Sequence, residues 1–230
     1  MLSKEQVKEK VGRAAARLVS EGMNIGAGTG STAYWFIMAL GERVAAGLQC
    51  QAVPTSRQTR ELLISRQIPV IELNEVDTLD LVVDGADELD HQLQLIKGGG
   101  GALLQEKMVA YAARQYVIIA DEDKLVNQLG RFPLPVEVIP FGYRQVKRAV
   151  EQAYNCQATL RLKNGQPFLT DNQNYILDLG MQEITNPGQV QAFLNNIPGV
   201  VENGLFLGMA QEALIGKSNG EIIHLKIKTP

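Results

Sequence analysis

The sequence predicts an α/β protein in which a smaller α+β domain is inserted into a domain built on a mainly parallel sheet. Two observations predict the sheet: short apolar segments alternate with helical segments over the first half of the chain, and glycine-rich turns follow two of those segments. A third observation, a proline-rich segment followed by a different order of elements, predicts the second domain. The 230 residues are enough to bury a large core.

The composition indicates which classes of partner the protein lacks and which compartment suits it. The net charge is −3 and no run of Lys and Arg occurs, so we expect no nucleic-acid partner. No apolar segment reaches membrane-spanning length, so we expect no membrane partner. Cys50 and Cys156 are isolated and lack the spacing of metal ligands, which predicts neither a zinc site nor disulfide bonds and favours a reducing compartment.

The first half of the chain is predicted to alternate helices and strands. Its first helix carries apolar residues on one stripe, and Ser3 followed by Gln6 is the pattern of a capping box. Strands joined by helices pair in parallel, and such sheets bind ligands beyond the carboxyl ends of their strands. The predicted elements are helix 3–19, strand 23–28, helix 33–46, strand 51–53, helix 56–66, strands 70–73 and 79–83, a helix from about Gly101, and strand 116–120.

The second half begins with three prolines in the segment F-P-L-P-V-E-V-I-P, residues 132–140, which predicts an edge strand or a domain boundary. The elements that follow have the β-α-β-β-α-β order that is called ferredoxin-like. A closing hairpin is predicted to return to the first sheet. The predicted elements are strand 136–139, helix 143–154, strands 158–162 and 175–179, helix 187–195, strand 200–206, and the hairpin of strands 213–215 and 221–227.

The glycine turn G-A-G-T-G-S-T stands between a predicted strand and a predicted helix. This arrangement directs free N–H groups and a helix N-terminus at an anion. Ser31 replaces the third glycine of a dinucleotide-binding motif, and no Lys precedes the hydroxyl residues as in a Walker A loop. Thr29, Gly30, Ser31 and Thr32 therefore suit a single phosphate group, whereas the simpler alternative is that Ser31 or Thr32 only caps the helix.

A second cluster combines D-G-A-D-E with K-G-G-G-G. Asp84 and Asp87 follow a buried strand, and Lys97 precedes four glycines whose N–H groups can approach a ligand closely. Glu106 lies in an apolar helix without a basic residue at helical spacing, which predicts a raised pKa; the alternative is a surface glutamate near a helix N-terminus. Lys124 follows another strand end, where it reaches a phosphate or pairs with Asp121 or Asp123.

Together these blocks resemble the type A ribose-5-phosphate isomerases. The resemblance extends to A-D-E-D-K, F-P-L-P-V-E-V-I-P and I-P-G-V-V-E-N-G-L-F, and so spans essentially the whole chain. It implies the interconversion of ribose 5-phosphate and ribulose 5-phosphate, in the pentose phosphate pathway, without metal or organic cofactor. It also implies a cytoplasmic homodimer or tetramer, with a Rossmann-like catalytic domain (residues 1–131 and 207–230) and an inserted ferredoxin-like domain (residues 132–206).

The resemblance further implies the roles of the site residues. Glu106 is the expected proton acceptor in a reaction through a cis-enediol, and Asp84, Asp87 and Lys97 complete the catalytic set. Either aspartate is a candidate for opening the sugar ring. A sugar-phosphate deaminase or lactonase and a non-catalytic phosphosugar sensor are the competing functions. The expected substrate-binding residues are Lys8, Thr29, Gly30, Ser31, Thr32, Asp84, Gly85, Ala86, Asp87, Lys97, Gly98, Gly99, Gly100 and Lys124.

Overall fold

The computed structural model describes residues 1–227, so residues 228–230 of the predicted domain 207–230 lie outside the described residues. None of its helices is both long and apolar enough to cross a membrane within that range. The helices are α1 (Lys4–Ala16), α2 (Ser31–Ala45), α3 (Arg57–Ser65), α4 (Leu103–Tyr111), α5 (Tyr143–Tyr154) and α6 (Pro187–Asn195). The strands are β1 (Asn24–Ala27), β2 (Gln51–Pro54), β3 (Leu81–Asp84), β4 (Glu88–Leu89), β5 (Leu95–Ile96), β6 (Tyr116–Asp121), β7 (Leu134–Val138), β8 (Gln157–Leu160), β9 (Leu162–Lys163), β10 (Gln166–Pro167), β11 (Tyr175–Gly180), β12 (Val200–Asn203), β13 (Leu205–Phe206), β14 (Glu212–Gly216) and β15 (Ile222–Lys226).

The large sheet has the strand order β15-β14-β6-β3-β1-β2 and is parallel except for β15. Helices α1, α2 and α3 pack on one face, where Val11, Phe36 and Leu63 share a core with the strands. Helix α4 packs on the other face through Val109 and Ala110. The predicted mainly parallel sheet, with helices on both faces and a returning hairpin, is confirmed.

The order of the strands reverses between β1 and β3. The chain runs from β1 to β2 in one direction and later adds β3 and β6 on the opposite side of β1. The crevice outside the carboxyl ends of strands at such a reversal is the usual ligand site of a parallel sheet. The turns after Ala27 and Asp84 open together at this point.

The small sheet has the order β12-β7-β11-β8, is antiparallel throughout, and is accompanied by α5 and α6. This is the arrangement expected for the predicted β-α-β-β-α-β order. Its core contains Val136, Val150, Leu177 and Leu194, which are fully buried.

Two strand predictions are wrong. The predicted strand over 70–73 forms only a single bridge, between Val70 and Ala52, because a 3₁₀ turn over Leu73–Glu75 bends the chain away. Of the two alternatives for the proline-rich segment, an edge strand or a domain boundary, the edge strand is wrong, because β7 lies between β12 and β11. Pro135 is accommodated there because it faces Gly204, just beyond the end of β12, where any side chain would lie 2.8 Å from the Pro135 ring.

A third, short sheet of β13, β5 and β4 connects the two larger ones. It splits the predicted strand over 200–206, since β12 pairs with β7 and β13 pairs with β5. Lys97 directly follows β5, and its N–H donates to the carbonyl of Gly204 at 2.9 Å. The position of Lys97 therefore depends on the chain that returns from the small sheet.

Candidate active site

A cavity of about 480 Å³ opens where the strand order reverses. Its walls are the turn after β1, the turn after β3, the four-glycine turn and the first turn of α4. The structure thus brings segments far apart in sequence to one place. The predicted site residues that line the cavity are Lys8, Thr29, Gly30, Ser31, Thr32, Gly85, Ala86, Asp87, Lys97, Gly98, Gly99, Gly100, Glu106 and Lys124.

Asp84 alone among the predicted residues does not line the cavity, because it lies fully buried behind the wall. Its Oδ1 accepts hydrogen bonds from the N–H groups of Thr29 at 3.0 Å and Gly85 at 2.7 Å. Gly28 must lack a side chain, since a Cβ there would lie 2.0 Å from the same oxygen. Asp84 therefore links the turn after β1 to the turn after β3 without lining the cavity.

Lys97 lies between two carboxylates and is 2% exposed. Its Nζ is 2.9 Å from Asp84 Oδ2 and 3.4 Å from Glu106 Oε1, and it donates to the carbonyl of Gly85 at 2.6 Å. Burial alone would lower the pKa of the ammonium, but attraction to Asp84 and Glu106 outweighs burial and raises that pKa well above its usual value. Lys97 therefore stays protonated. Asp84, Lys97 and Glu106 are called the charged cluster below.

Glu106 is 4% exposed, so the alternative of a surface glutamate is wrong. Burial raises its pKa to about 8; the attraction of Lys97 opposes this rise, and repulsion from Asp84 and Asp87 adds to it. Its Oε2 has no hydrogen-bond partner within residues 1–227. Lys97 is the basic partner that helical spacing could not reveal, because it comes from a different segment. The result is a carboxylate that can gain or lose a proton near neutral pH.

The four glycines of the turn have different reasons to be glycine. Gly98 and Gly101 have φ values of +103° and +84°, which favour glycine. Gly99 lies against Asp87: its N–H donates to Oδ2 at 2.7 Å, and a Cβ would lie 2.5 Å from Oδ1. Gly100 has neither constraint, since the nearest atom to an added Cβ is 3.7 Å away on Thr29. Gly100 lines the cavity.

Another part of the cavity wall is the N-terminus of α2. Gly30 is the N-cap with a φ of +117°, and no side chain caps the helix. The alternative in which Ser31 or Thr32 caps it is therefore wrong. The N–H groups of a first helical turn have no acceptor within the helix, and here they border the cavity together with the hydroxyls of Ser31 and Thr32.

The hydroxyl of Thr29 is directed away from the cavity. Its Oγ1 is 2.8 Å from the hydroxyl oxygens of Thr55 and Ser56 and 3.1 Å from that of Thr59. Thr29 donates to Ser56, and Ser56 donates to Thr59. Thr55 and Thr59 donate to backbone carbonyls. Because its N–H goes to Asp84, both polar groups of Thr29 are used within the protein.

Two lysines, Lys8 and Lys124, also line the cavity. Together with the first turn of α2 they are called the phosphate end below, after the ligand that the sequence predicts for them. Lys8 is 2.8 Å from Glu5 and keeps 17% of its side chain exposed. Lys124 forms no ion pair with its neighbouring aspartates in the part of the chain that the structure describes, and Asp123 pairs instead with Lys4 at 2.6 Å. The alternative in which Lys124 pairs with those aspartates is therefore wrong, and its ammonium is available to a ligand.

A sequence profile described as ribose 5-phosphate isomerase A (phosphoriboisomerase A) matches residues 51–220. The chain belongs to the ribose 5-phosphate isomerase A family. Ribose-5-phosphate isomerase A of Bacillus mycoides (strain KBAB4) is 52% identical, over 93% of this chain and 97% of the relative. The protein of the same name from Ruegeria sp. (strain TM1040) is 48% identical, over 95% of this chain and 86% of the relative.

Solved structures of family members have the same fold. A D-ribose-5-phosphate isomerase in complex with phospho-erythronic acid has a TM-score of 0.95 at 38% identity and covers 98% of this chain and 100% of its own. Ribose 5-phosphate isomerase A of Methanocaldococcus jannaschii has a TM-score of 0.92 at 43% identity, with the same coverage. The predicted family and fold are confirmed, as are the aldose-ketose isomerase activity on ribose 5-phosphate and its place in the pentose phosphate pathway.

Several cavity residues of this family member were not singled out from the sequence. Glu88, which is 1% exposed, accepts the N–H groups of Gly130 at 2.8 Å and Phe132 at 2.6 Å, and so holds one rim of the cavity. Its place after Asp87 in D-G-A-D-E was the available signal. Within residues 1–227 no group of three or more His, Cys, Asp or Glu side chains could hold a metal ion, and the absence of a cofactor stays a prediction. The other unexpected lining residues are Lys4, Asp121, Asp123, Arg131, Phe132 and Pro133.

Proposed function

We propose that Glu106 is the base that transfers the proton between C2 and C1 of the open-chain sugar phosphate. The observation that carries this assignment is the free Oε2 of Glu106, buried at the cavity wall, on a carboxyl group with a pKa raised to about 8. A base with a pKa near the working pH is effective in both directions of a proton transfer, and contributes roughly a hundred- to ten-thousand-fold in rate.

The reaction then requires two proton transfers at carbon and one between the two oxygens. Glu106 takes the proton from C2 of the aldose, the C2 electron pair forms the C1–C2 double bond, and the carbonyl electrons move to the C1 oxygen. Glu106 returns the same proton to C1, and the C2 oxygen becomes the ketone. Asp87, which is half-buried and lines the cavity, moves the hydroxyl proton between the two oxygens. In a cis-enediol the two oxygens lie on the same side of the C1–C2 double bond, and one carboxylate can reach both carbons from one face of the planar intermediate.

Lys97 and the N–H of Gly100 stabilise the negative oxygen of the enediolate. Both border the cavity, and the charge of Lys97 is fixed by its carboxylate neighbours before substrate binds. A preorganised donor of this kind is worth roughly a hundred- to a thousand-fold in rate. Asp84 acts as a positioning residue, because it touches Lys97 and the two turns but not the cavity.

The phosphate end binds the phosphate group of the substrate. The first turn of α2 supplies N–H groups and two hydroxyls, and Lys8 and Lys124 supply positive charge. Thr29 supports this turn through the hydroxyls of Thr55, Ser56 and Thr59 rather than by donating to the phosphate. Gly85, Ala86, Gly98 and Gly99 complete the sugar-binding wall.

Phospho-erythronic acid, which is bound in the structure of a relative, is a useful probe of this assignment. Its carboxylate places two oxygens in one plane, as the enediolate does, and its phosphate is at the other end of the carbon chain. The carboxylate is expected at the charged cluster and Gly100, and the phosphate at the phosphate end. Inorganic phosphate probes the phosphate end alone.

The decisive experiment measures conversion of ribose 5-phosphate to ribulose 5-phosphate in the presence of EDTA, with wild type and Glu106→Gln. We expect wild-type turnover, and a loss of kcat of roughly a hundred- to ten-thousand-fold in the variant with phospho-erythronic acid still bound. Glu61→Gln, an exposed glutamate of α3, is the matched control and should keep full activity.

The outcomes separate the competing functions. Normal kcat in Glu106→Gln would remove Glu106 as the base. Binding of ribose 5-phosphate without turnover by the wild type would favour a sensor, and turnover of an amino-sugar phosphate or a lactone would favour a deaminase or lactonase.

The domain division, assembly and location are also proposals. Residues 1–131 and 207–230 form the catalytic domain and residues 132–206 the inserted one, which is supported by the separate core of the small sheet. Exposed apolar side chains such as Phe141 suit a homodimer or tetramer, which analytical ultracentrifugation would test. The two free cysteines suit the cytoplasm.

A further inference from the structure

Arg161, which lies between β8 of the small sheet and the short strand β9, contacts the four-glycine turn. Its Nη1 donates to the carbonyls of Gly98 at 2.9 Å and Gly99 at 3.0 Å. Its Nε and Nη2 donate to the two carboxylate oxygens of Asp178 in a paired arrangement. Arg161 is not among the cavity-lining residues, and its side chain is only 16% exposed. The proposed mechanism assigns no role to this contact.

Contacts outside the four-glycine turn also fix the position of the guanidinium. The Arg161 N–H donates to the carbonyl of Ile176 at 2.8 Å, and its carbonyl accepts from Phe168 at 2.9 Å. The Phe168 ring lies 5.9 Å from the guanidinium and packs where Gly101 leaves room. A paired carboxylate fixes the plane of the guanidinium fork, which a lysine cannot reproduce.

Holding these two carbonyls fixes the direction of two N–H groups. A peptide unit is planar and trans, so its N–H points away from its C=O. The carbonyls of Gly98 and Gly99 point to Arg161, and the N–H groups of Gly99 and Gly100 in the same peptide units therefore point to the cavity side. The Gly99 N–H does donate to Asp87, whereas the Gly100 N–H has no acceptor within residues 1–227.

We propose that Arg161, oriented by Asp178, is a positioning residue that aims the N–H groups of Gly99 and Gly100 at Asp87 and at the enediolate oxygen. A positive charge on both carbonyls also polarises both peptide units, which makes their N–H groups stronger donors. The small sheet thereby contributes to the chemistry without lining the reacting centre. This inference rests on the proposed function of the cavity.

The test compares Arg161→Ala, Arg161→Lys and, as the control, Arg114→Ala, which removes an exposed arginine paired with Asp80 at 3.5 Å. In Arg161→Ala we expect kcat to fall about ten- to a hundredfold while KM changes less than about threefold, because one preorganised donor is misdirected. Arg161→Lys should be intermediate, and guanidinium ion at low concentration should restore part of the activity of Arg161→Ala. The control should remain active.

Ligand affinities distinguish this positioning role from a general destabilisation of the fold. Affinity for phospho-erythronic acid should fall in Arg161→Ala, whereas affinity for inorganic phosphate should stay within about twofold of wild type. If Arg161→Ala does not fold, Arg161→Lys carries the same comparison. The proposal is overturned by a kcat within threefold of wild type in both variants, or by equal losses of affinity for both ligands. If the proposed function itself were wrong, the wild type would not convert ribose 5-phosphate, or Glu106→Gln would keep a normal kcat.

Discussion

Lys97 and Glu106 of the charged cluster line the same cavity as the phosphate end, but the two regions are built differently. In the charged cluster, three ionisable side chains are almost fully buried, and each is within ion-pair distance of another. At the phosphate end, the lysines are partly exposed and the other donors are N–H groups of a helix terminus. Burial fixes geometry and shifts pKa values, which proton transfer requires. Phosphate binding requires only donors and charge, which exposed groups supply.

The largest expected difference between the two regions concerns Lys97. Lys97→Met should lower kcat by roughly a hundred- to a thousandfold, because the enediolate loses its cation. It should also lower the free energy of unfolding by roughly 3–5 kcal/mol, because two buried carboxylates lose their partner. Steady-state kinetics and urea unfolding measure the two effects.

Lys107→Met is the matched control for that prediction. Lys107 is also largely buried, lies 4.8 Å from the same Phe206 ring that Lys97 faces, and pairs with Glu202 at 2.7 Å. It does not line the cavity. The control should lose stability but keep most of its kcat; equal losses of kcat in both variants would contradict a specific role for Lys97.

The charged cluster and the phosphate end should also differ in how kcat/KM and the affinity for inorganic phosphate depend on pH. Glu106 must be ionised to accept a proton, and its pKa is raised to about 8, so kcat/KM should rise about tenfold per pH unit below that value and level off above it. Affinity for inorganic phosphate should not follow this curve. A flat kcat/KM between about pH 6 and pH 9 would contradict the assignment.

The same carboxyl group links stability to pH. Its pKa is higher in the folded than in the unfolded state, so between its ordinary value of 4.5 and about 8 the folded protein keeps a proton that the unfolded chain has lost. Stability therefore declines as the pH rises through this window. Glu106→Gln should lack this part of the decline, which thermal unfolding at several pH values would show.

A smaller effect is expected at the four-glycine turn. Gly100→Ala should fold as wild type does, because its added Cβ meets only an ordinary contact, but it should lower kcat/KM about tenfold because the methyl group enters the cavity. Gly98→Ala should instead lower the free energy of unfolding by about 1 kcal/mol or more, because of its φ of +103°. Wild-type kinetics in Gly100→Ala would show that no ligand approaches Gly100.

The smallest effect is expected for a partly exposed charge at the phosphate end. Lys124→Ala should raise KM less than about tenfold and leave kcat within about twofold, with an effect that shrinks as salt is added. Lys147→Ala, on the surface of α5, is the control. A large loss of kcat in Lys124→Ala would contradict the division between the two regions.

The sequence predicted much of the fold because local signals agreed with the tertiary structure. The capping box of Ser3 and Gln6 and the helices α5 and α6 lie where the pattern indicated. Position in a sheet was less predictable. Pro135 indicated an edge strand, but the neighbour that accommodates it, Gly204, is distant in sequence.

The candidate site shows the same limit. The sequence indicated which segments carry the chemistry, and the cavity collects nearly all of them. It could not indicate the direction of each side chain, because direction depends on partners from other segments. Asp84 faces Lys97 instead of the cavity, and the hydroxyl of Thr29 faces a hydroxyl cluster on β2 and α3.

The hydrogen bond from Lys97 to Gly204 has a consequence for protein synthesis. The two residues are separated by roughly a hundred positions, so the contact belongs to the slow, non-local part of folding. A nascent chain that ends before Gly204 holds Asp84, Lys97 and Glu106 but not the backbone that fixes Lys97 in place. Activity therefore appears only after the small sheet has left the ribosome and returned to the large one.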